Sequence, residues 1–233
     1  MSTNRSKRYR EAVGLVEAGR TYPLDEAVGA LKKLPPPKFD PTVTLSFHLG
    51  VDPKKSDQMV RGSVSLPHGT GKNVRVAVFA QGEAAKAAGE AGAQHVGYED
   101  LIKKVQEGFL DFDAAIATPD AMAEVRKIAR ILGPRGLMPN PKTGTVTPDT
   151  AAAVKAVMAG KVNYKLDKSG NISAAIGKAS FSDAQLIENA MAMIESLIKA
   201  KPPAAKGNYI QSVTLAASMC PGLKLDSSLY ARN

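Results

Sequence analysis

The sequence has no tryptophan and only one cysteine, Cys220, so neither an internal disulfide nor a cysteine-rich zinc site can form. Its three histidines, His48, His68 and His95, lie far apart without metal-ligand spacing, which predicts no metal site and no cofactor. No apolar run reaches the roughly 20 residues that a membrane helix needs. We therefore expect a protein that does not cross a bilayer.

A hydrophobic signal segment is also missing near the start, where four of the first ten residues are basic. This pattern predicts a cytoplasmic protein. Acidic residues are the minority, 22 against 31 Lys and Arg, which gives a net charge of +9 and a pI near 9.6. The excess indicates a polyanionic partner, although a solvated lysine-rich surface has the same composition.

The basic excess is unevenly distributed along the chain. Residues 70–160 carry 11 basic and 10 acidic residues, whereas the two flanking pieces together carry 20 and 12. Apolar and polar residues alternate in the flanks, as over 42–49, which is typical of strands with one buried face. The middle contains continuous apolar runs such as 74–80 between helical stretches, which is typical of a parallel α/β layer.

These patterns predict a mixed α+β and α/β protein with two domains. Residues 1–69 and 160–233 would form a discontinuous α+β domain, and residues 70–159 an inserted three-layer parallel α/β domain of Rossmann-like type. Glycines near both crossings would allow hinge motion. A single compact α/β domain is the alternative.

Four local elements are predicted from periodicity and turn residues. A basic helix covers 5–18, and one helix covers 121–132 after an N-cap at Thr118. A hairpin joins 162–166 to 172–176 through a turn, and a final strand covers 209–217.

No motif indicates catalysis. The stretch 68–73 superficially resembles a phosphate-binding loop, but only Thr70 stands where that motif needs four residues. The segment 82–92 lacks the close Gly-x-Gly turn of a dinucleotide site. We predict that the protein is not an enzyme. The alternatives are a nucleotide-binding enzyme that uses the α/β layer and a nonspecific nucleic-acid-binding protein.

The most distinctive stretch, 133–145, contains three glycines, three prolines, two basic residues and no carboxylate. One interpretation is a stiff basic loop that is presented to phosphate. The other is a structural loop that packs against the neighbouring domain. The residues alone do not decide between them.

The strongest indication of RNA binding is a repeated hydroxyl face on the flanking strands. Ser212, Thr214 and Ser218 alternate with residues that face the core, and the stretch 42–48 repeats the pattern. RNA is recognised through 2′-hydroxyls and phosphates across a shallow minor groove, and small hydroxyl side chains suit that chemistry. An amphipathic strand that simply faces water would show the same alternation.

Lys161 and Lys165 are expected to add positive charge to this face. Phe39, which follows the triple proline, is held where its ring could stack on a base or ribose. The alternative for Phe39 is an aromatic ring that plugs an edge of the core. Together with the charge imbalance, these features favour RNA.

Five stretches resemble the family of the first large-subunit ribosomal protein, the L-one stalk protein. They are 56–72 (SDQMVRGSVSLPHGTGK), 111–113 (DFD), 117–120 (ATPD), 130–142 (RILGPRGLMPNPK) and 177–181 (GKASF). The resemblance covers essentially the whole chain, and motifs of this length are specific. The chain length and short tails resemble the bacterial type.

The resemblance implies a structural protein of the large ribosomal subunit, with two domains and no enzymatic activity. Its chain ends would bind the stalk region of the large-subunit rRNA, and the protein would assist release of deacylated tRNA from the exit site. Repression of its own operon through a messenger that mimics the ribosomal site is also implied. Away from the ribosome, a monomer is expected.

The RNA-contacting set that the resemblance implies is Lys38, Phe39, Thr42, Lys168, Gly170, Ser212, Thr214, Ser218 and Met219. The chain departs from the family at one point, where the usual Thr-Met-Gly reads Ser218-Met219-Cys220. Serine keeps the hydroxyl, whereas Cys220 adds a side chain where glycine lets backbone and RNA approach closely.

Overall fold

The computed structural model describes residues 5–17, 19–205 and 207–230. Its helices are α1 (Lys7–Gly14), α2 (Leu24–Lys33), α3 (Gly82–Glu90), α4 (Glu99–Gln106), α5 (Met122–Val125), α6 (Ala129–Leu132), α7 (Thr150–Met158) and α8 (Asp183–Lys199). Its strands are β1 (Thr42–Leu49), β2 (Arg61–Ser65), β3 (Val76–Phe79), β4 (His95–Gly97), β5 (Ala114–Ala117), β6 (Lys161–Lys165), β7 (Asn171–Lys178), β8 (Ile210–Ala217) and β9 (Leu223–Leu225). Within these ranges, no helix is long and apolar enough to span a membrane.

The backbone divides into two compact units. The chain-end unit consists of the residues up to Gly71 and those from Val162 onward, and the middle unit of Lys72–Lys161. These boundaries lie close to the predicted crossings. That the two units are separate domains with separate roles stays a prediction.

The chain-end unit is built on a four-stranded sheet in the order β7-β1-β8-β9, whose paired strands are antiparallel. The alternation in β1 is confirmed, because Val43, Leu45 and Phe47 are at most 1% exposed while the intervening residues reach solvent. Helices α2 and α8 contribute the opposing apolar surface. Burial of these side chains, at about 1.5–3 kcal/mol each, fixes which face of the sheet points inward.

A capping box fixes the start of helix α8, and one buried amide side chain ties the helix to neighbouring backbone. The Ser182 hydroxyl accepts from the Gln185 backbone N–H at 3.3 Å, and the Gln185 side chain accepts from the Ser182 N–H at 3.0 Å, which is a complete capping box. Asn189 is fully buried and donates to the carbonyls of Gly69 and Ile176 at 3.0 and 2.7 Å. The amide therefore fixes the chain just before the first crossing to the core of the same unit.

The middle unit has a parallel sheet in the order β4-β3-β5 between two helical layers. All four residues of β3 are buried. Ala77 and Phe79 pack with α4, α5 and α6, whereas Val76 and Val78 pack with α3 and α7. The continuous apolar run therefore forms a strand that is covered on both faces, and this prediction is confirmed.

The predicted hairpin between 162–166 and 172–176 is wrong. Strand β7 pairs with β1, and β6 pairs with β2 in a separate two-stranded sheet. Pairing with β1 places Ile172 and Ile176 in the core of the chain-end unit, where β7 packs against α8. The turn between the strands only connects two sheets.

The predicted continuous helix over 121–132 is also wrong. Helices α5 and α6 are separated by a 3-10 turn at Arg126–Ile128, which keeps Val125 and Ile128 on the same buried side because residues three apart eclipse in that geometry. The Thr118 hydroxyl accepts from the Ala121 N–H at 3.4 Å, one residue before α5 begins.

Helix α1 is shorter than the predicted 5–18. It begins at Lys7 and ends at Gly14. Ala18 and the first four residues of the basic N-terminus lie outside the described residues.

The stretch 133–145 has a structural role in its own unit. Leu137 and Met138 pack against the core of the middle unit. The Thr143 and Thr145 hydroxyls donate to the Asn140 carbonyl at 3.0 and 3.2 Å, and both threonines are buried. These bonds and contacts give the stretch a structural role, while Arg135 remains exposed.

Candidate nucleic-acid interface

The second face of the four-stranded sheet carries half-buried and exposed hydroxyl side chains. They are Thr42, Thr44, Ser46, Ser173, Ser212 and Thr214. We call this surface the hydroxyl face. It is the outward side of the alternation that buries the apolar residues of β1 and β8.

Strand register aligns one row of polar side chains across the hydroxyl face. Ser46 pairs with Ser173 on one side and with Thr214 on the other, and Thr214 pairs with Lys224 of β9. The hydroxyls of Ser46 and Ser173 lie 2.9 Å apart. Residues directly opposite in antiparallel strands project to the same side, so four neighbouring strands contribute donors and acceptors to one strip.

At one end of this face, Thr42 and Ser218 are linked by hydrogen bonds. The Ser218 N–H and hydroxyl both donate to the Thr42 carbonyl, at 3.0 and 3.3 Å. The Lys178 ammonium donates to the Thr42 hydroxyl at 3.1 Å. Because the Ser218 hydroxyl is used as a donor within the protein, its lone pairs are what it can offer to a ligand.

The turn after β8 holds Met219 in an unusual conformation. Cys220 N–H donates to the Ala217 carbonyl at 3.0 Å, which closes a four-residue turn. Met219 has φ +64°, the only positive φ of a non-glycine residue within the described ranges, and its side chain is 68% exposed. Type II turns usually place glycine at this third position. Strain of this kind persists only where the surrounding structure holds it, and such residues cluster at active sites and ligand-binding sites.

The loop after the triple proline presents Lys38 and Phe39 to solvent. Phe39 is 53% exposed, so its ring does not plug the core edge. The loop is tied down just beyond it, where the Asp40 carboxylate accepts from the Ser180 N–H at 3.2 Å and hydroxyl at 2.8 Å. The result is an exposed aromatic ring on a fixed backbone, which is the arrangement that base stacking requires.

At the opposite end of β1, the Asp167 carboxylate organises the turn that contains Lys168. It accepts from the N–H groups of Asn171 and Ser169 at 2.7 and 2.8 Å, and these bonds, that from Asn171 foremost, lower the pKa of Asp167. Lys168 is exposed at the tip. Gly170 is buried with φ +78°, so its contribution is the shape of the turn.

The nine predicted residues therefore fall into two groups on one sheet. Lys38, Phe39, Thr42, Ser218 and Met219 lie at the start of β1, and Lys168, Gly170 and Ser212 at its end, with Thr214 between them. Eight residues of strand separate the ends by about 24 Å. A structured RNA, rather than a single nucleotide, has the size to reach both.

The lysines that border the hydroxyl face differ from those expected. Lys161 and Lys165 belong to β6 of the two-stranded sheet, so the expectation that they back this face is wrong. Lys178 and Lys224 take that position. Sequence reasoning missed them because β9 has only three residues and the β1–β7 register shifts between Val43 and Thr44.

The middle unit has a cleft of about 420 Å³ where its parallel strands end, lined in part by Gln81, Tyr98, Thr118 and Asp120. This is the edge at which open α/β sheets bind nucleotides. An aspartate carboxylate in the cleft opposes phosphate binding, and the preceding loop lacks the paired glycines that let a pyrophosphate approach. The cleft gives the nucleotide-enzyme alternative no support.

A comparison with protein-family models adds an independent observation. The model described as the ribosomal protein L1p/L10e family matches residues 31–221. The match covers well over half of the 233 residues and includes all nine predicted contact residues. It leaves out helix α1 and strand β9.

Proposed function

Because the chain belongs to the ribosomal protein L1p/L10e family, we propose that its hydroxyl face binds the stalk region of the large-subunit rRNA. The family is one of structural ribosomal proteins, so the chain is a component of the large ribosomal subunit that binds rRNA, and its place is the ribosome in the cytoplasm. The stalk region and the contact residues are the finer part of the proposal.

The observation that carries the proposal is the polar row across four strands, together with the exposed Phe39 and Met219 at one end of the same face. Hydroxyl side chains can both donate to and accept from RNA 2′-hydroxyls. Lys178 and Lys224 supply positive charge for phosphates, and Phe39 supplies a stacking surface. Each class of group matches one part of an RNA strand.

The charge distribution supports assigning binding to the chain-end unit. The flanks hold a net +8, as 20 basic against 12 acidic residues, whereas residues 70–160 hold a net +1. We accordingly propose that residues 1–69 and 160–233 act as the RNA-binding domain and residues 70–159 as an inserted domain. Because positive charge attracts phosphate, the flanks should bind a polyanion more strongly than residues 70–160 do.

Three further roles belong to the same proposal and rest on the family alone. The protein would assist release of deacylated tRNA from the exit site. It would repress translation of its own operon by binding a messenger that carries the same structural motif. The protein would be of the bacterial type of the family, and it would be a monomer before it joins the ribosome.

A competition experiment tests the proposal. Labelled stalk rRNA fragment is bound to the full chain at physiological salt and challenged with unlabelled fragment or with duplex DNA. We expect only the RNA to compete efficiently, and equal competition by DNA would favour nonspecific binding instead. Thr214→Val, which removes the central hydroxyl, should weaken binding roughly two- to tenfold, whereas Ser65→Ala on the separate sheet should not.

A further inference from the structure

Helix α1 lies outside the part of the chain that the family model matches, yet it contacts the proposed RNA-binding turn. Its N-terminus is capped by the Ser6 hydroxyl, which accepts from the Tyr9 N–H at 3.3 Å. Ala12 of the helix is fully buried in the core of the chain-end unit, and Val16, just beyond the helix end, packs against the same core, so the helix has a fixed position. Its basic side chains are Lys7, Arg8 and Arg10.

The Arg8 guanidinium joins two loops that are distant in sequence. Nη2 donates to the Met219 carbonyl at 2.6 Å, and Nη1 donates to the Pro35 carbonyl at 2.9 Å. Nη1 also lies 3.7 Å from Cys220 Sγ. The hydrogen-bond partners of this side chain are thus backbone carbonyls and a thiol, and no carboxylate forms an ion pair with it among the described residues.

Both loops carry residues of the proposed interface. Pro35 opens the proline segment that leads to Lys38 and Phe39, and Met219 is the strained residue of the turn after β8. A left-handed backbone at a residue with a side chain is unfavourable by itself, so something must hold it. A charge-assisted hydrogen bond to the Met219 carbonyl orients the peptide unit that follows the strained residue.

We propose that Arg8 is a positioning residue for rRNA binding: its two-pronged guanidinium holds the Met219 turn and the Pro35 loop in the arrangement that RNA meets. The inference rests on the proposed function of the hydroxyl face. A lysine cannot replace Arg8, because a single ammonium lacks the planar fork that reaches two carbonyls in fixed directions. Cys220 adds a contact in this chain that a glycine at that position would not offer.

A direct phosphate contact is the competing role for any arginine near RNA, and salt dependence separates the two. A plot of log affinity against log salt concentration has a negative slope, and loss of one phosphate contact makes that slope less steep by about one. Loss of a positioning residue lowers the affinity at every salt concentration and leaves the slope unchanged. Arg8→Lys restores charge but not the fork, so only a phosphate contact would be rescued by it.

The experiment compares Arg8→Ala, Arg8→Lys and Arg10→Ala in the full chain. Arg10 is exposed on the same helix and serves as the charge-matched control. We expect both Arg8 variants to bind stalk rRNA at least about tenfold more weakly with the parent salt slope, and Arg10→Ala to bind nearly as tightly as the parent. Rescue by lysine, a reduced slope in Arg8→Ala, or unchanged affinity would each overturn the proposal.

Hydrogen exchange provides a readout that needs no RNA. The amides of Ser218 and Cys220, which donate to the Thr42 and Ala217 carbonyls, should exchange faster in both Arg8 variants and not in Arg10→Ala, while the amides in the middle of β1 stay protected. Unchanged exchange at the turn would overturn the positioning role even if affinity fell. A parent protein that does not prefer stalk rRNA to duplex DNA would instead refute the proposed function and leave the exchange result to be judged separately.

Discussion

Replacing Met219 by glycine separates the stability of the turn after β8 from its affinity for rRNA, because the two quantities should respond differently. The left-handed conformation costs a residue with a side chain about 1–2 kcal/mol, which glycine does not incur. Against this gain stands the greater flexibility of glycine in the unfolded chain, about 0.5–1 kcal/mol. The Met219 side chain is 68% exposed, so little packing is lost.

The expected result is an unfolding free energy that is unchanged or up to about 1.5 kcal/mol higher in Met219→Gly. Met219→Ala keeps the backbone strain and should be less stable than the glycine variant. For binding, covering the exposed two-thirds of a methionine side chain with RNA is worth roughly 1–2 kcal/mol, so both variants should lose about 5- to 30-fold in affinity.

Urea denaturation and titration of a labelled stalk rRNA fragment measure the two quantities. Met59→Gly is the control, because Met59 is 48% exposed, has φ −74° and precedes the separate two-stranded sheet. It should lose some stability and no affinity. If Met219→Gly binds rRNA as tightly as the parent, the strained turn has no part in binding and our assignment of it is refuted.

Three other perturbations test separate parts of the account. Asp113→Asn removes a carboxyl group whose pKa is lowered from 3.8 to about 2, chiefly by the hydrogen bond from Lys72. Because the pKa is lower in the folded state than in the unfolded state, this carboxylate stabilises the fold above about pH 4. The parent should therefore be more stable than the variant in denaturation experiments near neutral pH, and the difference should shrink as the pH falls towards 2. An advantage that persists at pH 2 would contradict this. Cys220→Gly should lower the unfolding free energy by about 1 kcal/mol through lost packing and leave rRNA affinity unchanged, whereas a marked gain in affinity would show that the thiol obstructs RNA. A deletion that joins Leu66 to Lys161 should retain most rRNA affinity, and a folded deletion that no longer binds would move the site to the middle unit.

The predictable part of the fold is the part that periodicity determines locally. Alternation over Thr42–Leu49 predicts both the strand and its inward face, because side chains of a strand must alternate and the apolar set must be buried. The apolar run at Val76–Phe79 predicts a strand with two covered faces for the same reason. The same run, between helical stretches, also predicted the parallel layer of the middle unit.

Strand pairing was not predictable in the same way. The Asp167–Gly170 turn favours a hairpin locally, but β7 gains more from pairing with β1, where Ile172 and Ile176 complete a core that includes α8. That choice depends on residues more than a hundred positions away. The break in the helix before Leu132 has a similar origin, because tertiary packing of its apolar residues overrides helix propensity.

The candidate interface was predictable as residue types but not as geometry. Hydroxyls on β1 and β8 follow from alternation, whereas Lys178 and Lys224 appear on the face only once the register and the order of four strands are known. The left-handed backbone of Met219 leaves no local pattern in the sequence. Its hydrogen bond with Arg8 joins residues that are 211 positions apart, so no local pattern indicates it either.

Backbone amide NMR of the full chain, recorded while stalk rRNA fragment is added, tests the central claim most directly. If the hydroxyl face is the interface, the resonances of Ser46, Ser173, Thr214 and Met219 should shift or broaden together at stoichiometric RNA. Changes confined to Lys72–Lys161, with the four-stranded sheet unaffected, would contradict the account.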